Sequence, residues 1–247
     1  PTLAYARPAI AAFAAMGVLW GTFAAVLPDL MAMLDVDERQ LGLLIFFTPI
    51  AAISAMLVAP AFGTLAGRAT LPLSVALMAL AFTLPGLASV IWLFPLAMAC
   101  AGAATGLTDV LMNARVAAME TSRGLHLMNL THAAYSFGYA GGALMTGVLR
   151  GADWGPGWVM AVMGGMGLLC AVMTIEGDGR IDGLRKPKDG SALPLGLVPV
   201  IGGGMVLIAF MTENAAENWS ALHIEKKLGG SPEEGALGPA MLALTTG

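Results

Sequence analysis

Residues 106–115 read GLTDVLMNAR and follow an almost unbroken apolar run from Leu93 to Leu107. Gly102, Gly106, Asp109 and Asn113 are spaced four, three and four apart, so on a helix they share one face. The two glycines let a neighbouring backbone come close, while the carboxylate and the amide line the rest of that face. A bilayer-crossing helix needs about 20 apolar residues, and this run with its continuation is long enough. A charged Asp near mid-span costs about 2.5–3.5 kcal/mol on insertion scales, so such residues face an interior or a water-filled cavity. Asp109 can then be a structural carboxylate neutralised by a partner, or one that takes up and releases a proton. Polar stripes on other spans favour the second reading.

The whole chain supports a membrane setting. Its 247 residues are 57% hydrophobic and 11% charged, with a mean hydropathy of +0.79. Soluble domains average about 25% charged residues, so this chain lacks the polar groups to coat a globule of its size. An all-α, polytopic membrane protein is expected. The net charge of −4 is spread out, and no basic stripe suggests a nucleic-acid partner. Cys100 and Cys170 sit in apolar runs without a CxxC or a nearby histidine, which reads as two buried free thiols. The N-terminal PTLAYAR leads into a long span rather than a short apolar segment with a cleavage site, which speaks against a removable signal peptide.

Charges and turn residues divide the apolar runs into spans near 9–33, 41–66, 71–93, 95–119, 126–149, 155–175 and 194–222, with another beginning at Pro232. Segments expected inside carry Arg7, Arg68, Arg115, Arg123, Arg180, Arg185, Lys186 and Lys188, against Arg39, Arg150, Lys226 and Lys227 outside. The positive-inside rule then puts the N-terminus in the cytoplasm. The expected location is the cell membrane, a bacterial inner membrane. Residues 176–193, EGDGRIDGLRKPKDGSAL, read as a cytoplasmic linker between a six-span bundle, 1–175, and the first part of a second, 194–247. The loops Asp35-Val-Asp-Glu-Arg-Gln-Leu-Gly42 and Ser231-Pro-Glu-Glu-Gly-Ala-Leu-Gly238 resemble one another as helix starts, with Ser231 and Glu234 forming a capping box. Two such halves make a chain of roughly 390 residues, since internal repeats mark transporters, and the sequence reads as a fragment ending in the eighth span.

Other spans carry polar stripes as well. Asn129, His132, Ser136 and Tyr139 follow helical spacing with Tyr135 beside them, while Gly138 and Gly142 form a packing GxxxG. In MTENAAENWSALHI, residues 211–224, Glu213, Glu217 and Ser220 share a face, with Asn214 and Asn218 on an adjacent one. That density fits either the outer interface, where Trp219 sits comfortably, or an unwound segment lining a cavity. Trp20 reads either as an apolar contact or as a ligand stack. No HExxH, GxSxG, P-loop or dinucleotide fingerprint is found. His126 and His132 are six apart and point to different faces. Neither an enzyme nor a cofactor or metal site is therefore expected.

At these residues the chain resembles the major facilitator superfamily, in particular its fucose-permease-like branch of proton symporters. That branch carries an acid, three residues and Asn in span 4, matched by Asp109 and Asn113. MNLTHAAYSFGYAGGAL, residues 128–144, is similar to its span 5, with His132, Ser136, Gly138 and Gly142 in matching places. ENAAENWSAL and GGSPEEGALG are similar to its span 7 and the loop beyond. The resemblance implies two six-helix bundles around a cavity that opens alternately to each side. It also implies a monomeric, proton-driven transporter of a small solute. Asp109 is the expected proton carrier, with Asn113, His132, Tyr139, Glu213 and Trp20 along the solute path. The superfamily loop G-x-x-x-D-R-x-G-R-R survives here only as Gly63 and Arg68, with Gly67 in place of the Asp, so a charge-linked gate at this loop is in doubt. The permease's acidic residue in span 1 aligns with Ala24, and Asp29 lies a turn further on, nearer the outer surface. A sugar substrate is thus not implied.

Overall fold

The computed structural model describes residues 2–181, 184 and 196–246, and the described residues form helices joined by short turns. In lipid, backbone N–H and C=O groups need partners within the protein, which leaves the helix as the economical solution for each span. The helices are α1 (Thr2–Leu34), α2 (Glu38–Ile45), α3 (Phe47–Ala66), α4 (Thr70–Ala81), α5 (Leu84–Leu87), α6 (Phe94–Arg123), α7 (Met128–Gly151), α8 (Pro156–Met173), α9 (Leu197–Leu228) and α10 (Pro232–Thr246). Expected spans 2 and 3 each divide into two helical pieces, α2 with α3 and α4 with α5. A 3-10 turn at Gly67–Ala69 joins the two spans, entered through Gly67 at a φ of +58°. Five stretches are long and apolar enough to cross a bilayer, one of them running unbroken from Glu38 to Leu87. Of the linker expected at 176–193, only 176–181 and 184 lie within the described residues.

Local capping shows why helices begin where they do. Ser231 and Glu234 form the expected reciprocal pair, each backbone N–H donating to the other's side chain. In the matching loop the cap is Asp37, paired with Gln40, two residues later than the Asp35 of the aligned sequences. Asp35 adopts a positive φ of 52°, which turns the chain before α2 can start. Cys100 is exposed rather than buried. It lies two residues before Gly102 and so on the side of α6 opposite the α3 contact.

Helix packing rests on small residues. A Cβ on Gly17 or Gly21 of α1 would strike the carbonyl oxygens of Tyr135 and Tyr139, and one on Gly138 or Gly142 of α7 those of Ala14 and Val18. Here α1 and α7 run parallel with their backbones touching. Gly102 and Gly106 likewise press α6 onto the carbonyls of Thr48 and Ala52 in α3. Gly164 and Gly167 seat α8 against Ala79 of α4. Gly147 seats α10 against α7 through Ala236.

The helix ends gather on two faces. On one, the Tyr5 hydroxyl lies 2.8 Å from Ser122 Oγ, Arg123 stacks 3.8 Å over the Tyr5 ring, and Arg7 donates to the Ile175 carbonyl at 2.6 Å. On the other, Arg150 of α7 joins α1 and α9. Its guanidinium makes two hydrogen bonds to Asp29, at 2.7 and 2.8 Å, and two to Glu225, at 2.7 and 2.9 Å. A further 2.7 Å bond reaches the Ala25 carbonyl. The Arg150 side chain is only 2% exposed.

Two outcomes are expected in thermal unfolding of the detergent-solubilised protein. Gly142→Leu forces α1 and α7 apart and lowers stability by at least the ~1–3 kcal/mol typical of overpacking, whereas Gly141→Leu, with open space at its Cβ, leaves the midpoint unchanged. Arg150→Met strands two carboxylates. The loss approaches the ~3–5 kcal/mol of a broken buried pair, discounted because the Asp29 side chain is 31% exposed. Arg150→Lys recovers only part of it, since an ammonium lacks the planar fork that engages both carboxylates.

Candidate functional site

The polar stripes converge from three helices. On α6, Asn113 Nδ2 donates to the Asp109 carbonyl at 2.9 Å and to its Oδ1 at 3.1 Å. This i, i+4 pair holds the carboxylate within the helix that the Gly102–Gly106 contact anchors to α3. Asp109 is half-buried, and His132 of α7 is the nearest opposite charge to act on it. His132 Nδ1 lies 3.0 Å from the Met128 carbonyl, its ring is 5.1 Å from Phe13, and the residue is exposed.

Next along α7 come Tyr135 and Tyr139, their rings 5.9 Å apart. Tyr139 is 2% exposed and wedges between Ala24 of α1 and Ala243 of α10, with Trp20 and Tyr135 packed against it. The glycine contacts explain this placement. Because Gly17 and Gly21 sit against the backbone of Tyr135 and Tyr139, both rings must leave the α1–α7 seam sideways. Trp20 meets Phe82 and Phe23 edge-on at 5.0 and 5.6 Å. Its ring is therefore an apolar contact for α4, while its remaining surface borders the tyrosines.

The third helix is α9. It runs unbroken from Leu197 to Leu228, so its polar density does not come from unwinding. Glu213 is exposed and Glu217, one turn on, is buried; the charges of both act on Tyr135 and Tyr139. Glu213 opens onto a cleft of about 650 Å³ lined also by Ala209, Thr212 and Ala216 and by Leu242 of α10. Asn218 and Asn214 form an i, i+4 contact of 3.5 Å. Trp219 turns away from this face toward Gly42 of α2.

Asp109, His132, Tyr139, Glu213 and Trp20 thus belong to one neighbourhood, with Asn113 supporting the first of them. Gly63 and Arg68 lie elsewhere. The Gly63 carbonyl accepts from Thr70 Oγ1 at 3.1 Å, and a Cβ there would strike Leu184 and Leu111. Arg68 is exposed, with its carbonyl against Gly179. The charge cluster at this end centres instead on Arg115, which grips Glu176 at 2.8 and 2.9 Å and the carbonyls of Asp178 and Arg180 at 2.8 and 3.1 Å. Neither this cluster nor the Arg150 cluster emerged from sequence reasoning. The only available signal was the presence of arginines at helix ends, because each partner lies 61 or more residues away.

Comparison with known proteins agrees with this geometry. The chain is 27% identical over 239 residues to an uncharacterised MFS-type transporter of Yersinia pestis, covering 94% of this chain and 61% of that protein. It is 29% identical over 248 residues to an uncharacterised transporter of Sinorhizobium fredii, covering 94% and 62%. No solved structure matches. The family model described as Major Facilitator Superfamily matches residues 9–247, and across that span lie the glycine-seated helices and the polar faces just described. This multi-pass membrane chain belongs to the major facilitator superfamily.

Proposed function

We propose that the chain forms part of a proton-coupled secondary active transporter of a small solute, working by alternating access, and not of an enzyme. The observation that carries the proton role is a contrast between two aspartates. Asp29 is held by a bidentate guanidinium, as a structural carboxylate in lipid should be. Asp109 receives only the Asn113 amide, and among the described residues no cationic side chain forms an ion pair with it. A carboxylate so placed within a membrane span is one whose charge is removed by binding a proton.

In this reading residues 1–175 are one six-helix half and residues 194–247 begin the second, joined through 176–193. The N-terminus is cytoplasmic, so the Arg150 cluster closes the outer end between the halves through α1, α7 and α9. The Tyr5 face is cytoplasmic, and the first half of α9 stands exposed, Val198 at 81% and Met205 at 68%. This is the arrangement of a cytoplasm-facing state in which Glu213 and Asp109 are reached from inside. Asn113, His132, Tyr139 and Trp20 border the solute path, and Gly63 and Arg68 shape the inner turn between spans 2 and 3. The protein acts as a monomer in the cell membrane, and its span 4 and span 5 patterns place it with the fucose-permease-like symporters.

Orientation is tested by single cysteines in a background free of Cys100 and Cys170. His126→Cys labels with a membrane-impermeant maleimide only after the cells are opened, and Asp153→Cys labels in intact cells. Labelling of both from one side overturns the span assignment.

The proton role is tested with Asp109→Asn in the full-length protein, using a solute identified by an uptake screen in vesicles. The amide mimics the neutral carboxyl, so exchange of labelled solute persists while accumulation driven by a pH gradient disappears. Gradient-driven accumulation equal to that of the parent removes Asp109 from the mechanism.

A further inference from the structure

We infer that Glu217, with Glu213 one turn before it on α9 and Tyr135 facing it from α7, receives the positively charged group of an organic cation. The inference deepens the transporter reading and rests on it for its meaning, but its test reads binding alone.

The starting point is a buried carboxylate without compensation. Glu217 is 9% exposed, yet among the described residues its side chain makes no hydrogen bond and no ion pair. The neighbouring Tyr139, 2% exposed, likewise has no hydrogen-bond partner for its hydroxyl. The two groups lie close enough for the charge of one to act on the other. Burying a charge is costly unless it is paired, and elsewhere this chain obeys that rule. Asp29 and Glu225 share Arg150, and Glu176 has Arg115. Those arginines are fully engaged, with every carboxylate contact at 2.9 Å or less, so neither is free to turn toward Glu217.

A ligand that relieves this arrangement must bring positive charge. An anion meets Glu213, Glu217 and, beyond Tyr135, Asp109, all of one sign. A neutral polyol can bond to the tyrosine hydroxyls but leaves the carboxylate charge uncompensated. An ammonium-type group satisfies the carboxylates and also finds aromatic surface, since Tyr135 and Tyr139 pack with rings 5.9 Å apart beside Trp20. Cations are attracted to such ring faces, more so when desolvated. Entry is open, because Glu213 borders the cleft between α9 and α10.

A proton is the alternative neutraliser of Glu217, so cation and proton compete. The titratable groups around the carboxylate are Glu213 on its own helix and Tyr135 and Tyr139 on α7. Asp109 of α6 and His132 of α7 lie beyond Tyr135. Asp29 of α1 and Glu225 of α9 are committed to Arg150 at the closed end, and Glu233 and Glu234 of α10 stand at that same end.

The test uses the full-length protein in detergent, with tetraphenylphosphonium as the cation and benzoate as the anion, both measured by equilibrium dialysis. Tetraphenylphosphonium binds, benzoate does not, and cation affinity tightens as pH rises from about 5.5 to about 7.5 as the competing proton leaves. Glu217→Gln weakens cation binding by about tenfold or more and flattens the pH series, whereas Glu217→Asp retains both. Absence of cation binding, equal binding of benzoate, or an affinity independent of pH in the unmutated protein overturns the inference, even if Glu217→Gln does not fold. Cation binding without any accumulation in vesicles overturns the transport reading instead and leaves the site standing. Gradient-driven uptake of a neutral solute by a protein that ignores tetraphenylphosphonium does the reverse.

Discussion

Lipid tails are as apolar as leucine, so burying apolar side chains does little to draw these helices together in a membrane. Close contact and polar pairing must supply the association. The α1–α7 seam meets this constraint with two glycines from each helix, which bring carbonyl oxygens of one helix to where the other has no Cβ. The α3–α6 and α4–α8 contacts repeat the solution with fewer glycines. Everything at the polar site depends on it. The seam decides that Tyr135 and Tyr139 leave sideways, and the α3 contact fixes the face of α6 that carries Asp109.

Charge is distributed by the same economy. Two arginines near opposite ends of the membrane each gather carboxylates from distant helices and are buried in doing so. They tie down helix ends where water is near and desolvation costs less. Between them lie Asp109, Glu213 and Glu217, for which the described residues supply no such partner. A membrane protein that neutralises its structural acids with fork-shaped hydrogen bonds, yet leaves others without cations, separates scaffold from working groups. The separation is visible in the partners and not in the residue types, since Asp29 and Asp109 are the same amino acid.

Much of the site was legible because helical spacing is local. Asp109 with Asn113, and Asn214 with Asn218, meet one turn apart on their own helices, where i, i+4 geometry alone brings them together. The Ser231–Glu234 box was legible for the same reason. The corresponding cap before α2 was misplaced by two residues, because a positive φ at Asp35 delays the helix and side-chain type alone does not reveal that. Cys100 was misjudged because an apolar run has an outward face as well as an inward one, and only the neighbour α3 tells them apart.

What the sequence by itself determined was the class of solvent, the helices, their approximate ends and the polar stripe on each. All follow from composition and from periodicity within one segment, where the chain is its own ruler. What only the tertiary structure decided was which stripes face one another and which charges are already spent. Arg150 meets Asp29 across 121 residues and Glu225 across 75. Such pairings depend on the rotation and tilt of whole helices, set by glycine contacts spread over several spans. No local rule carries that information, because turning a helix about its axis changes its partners without changing its pattern.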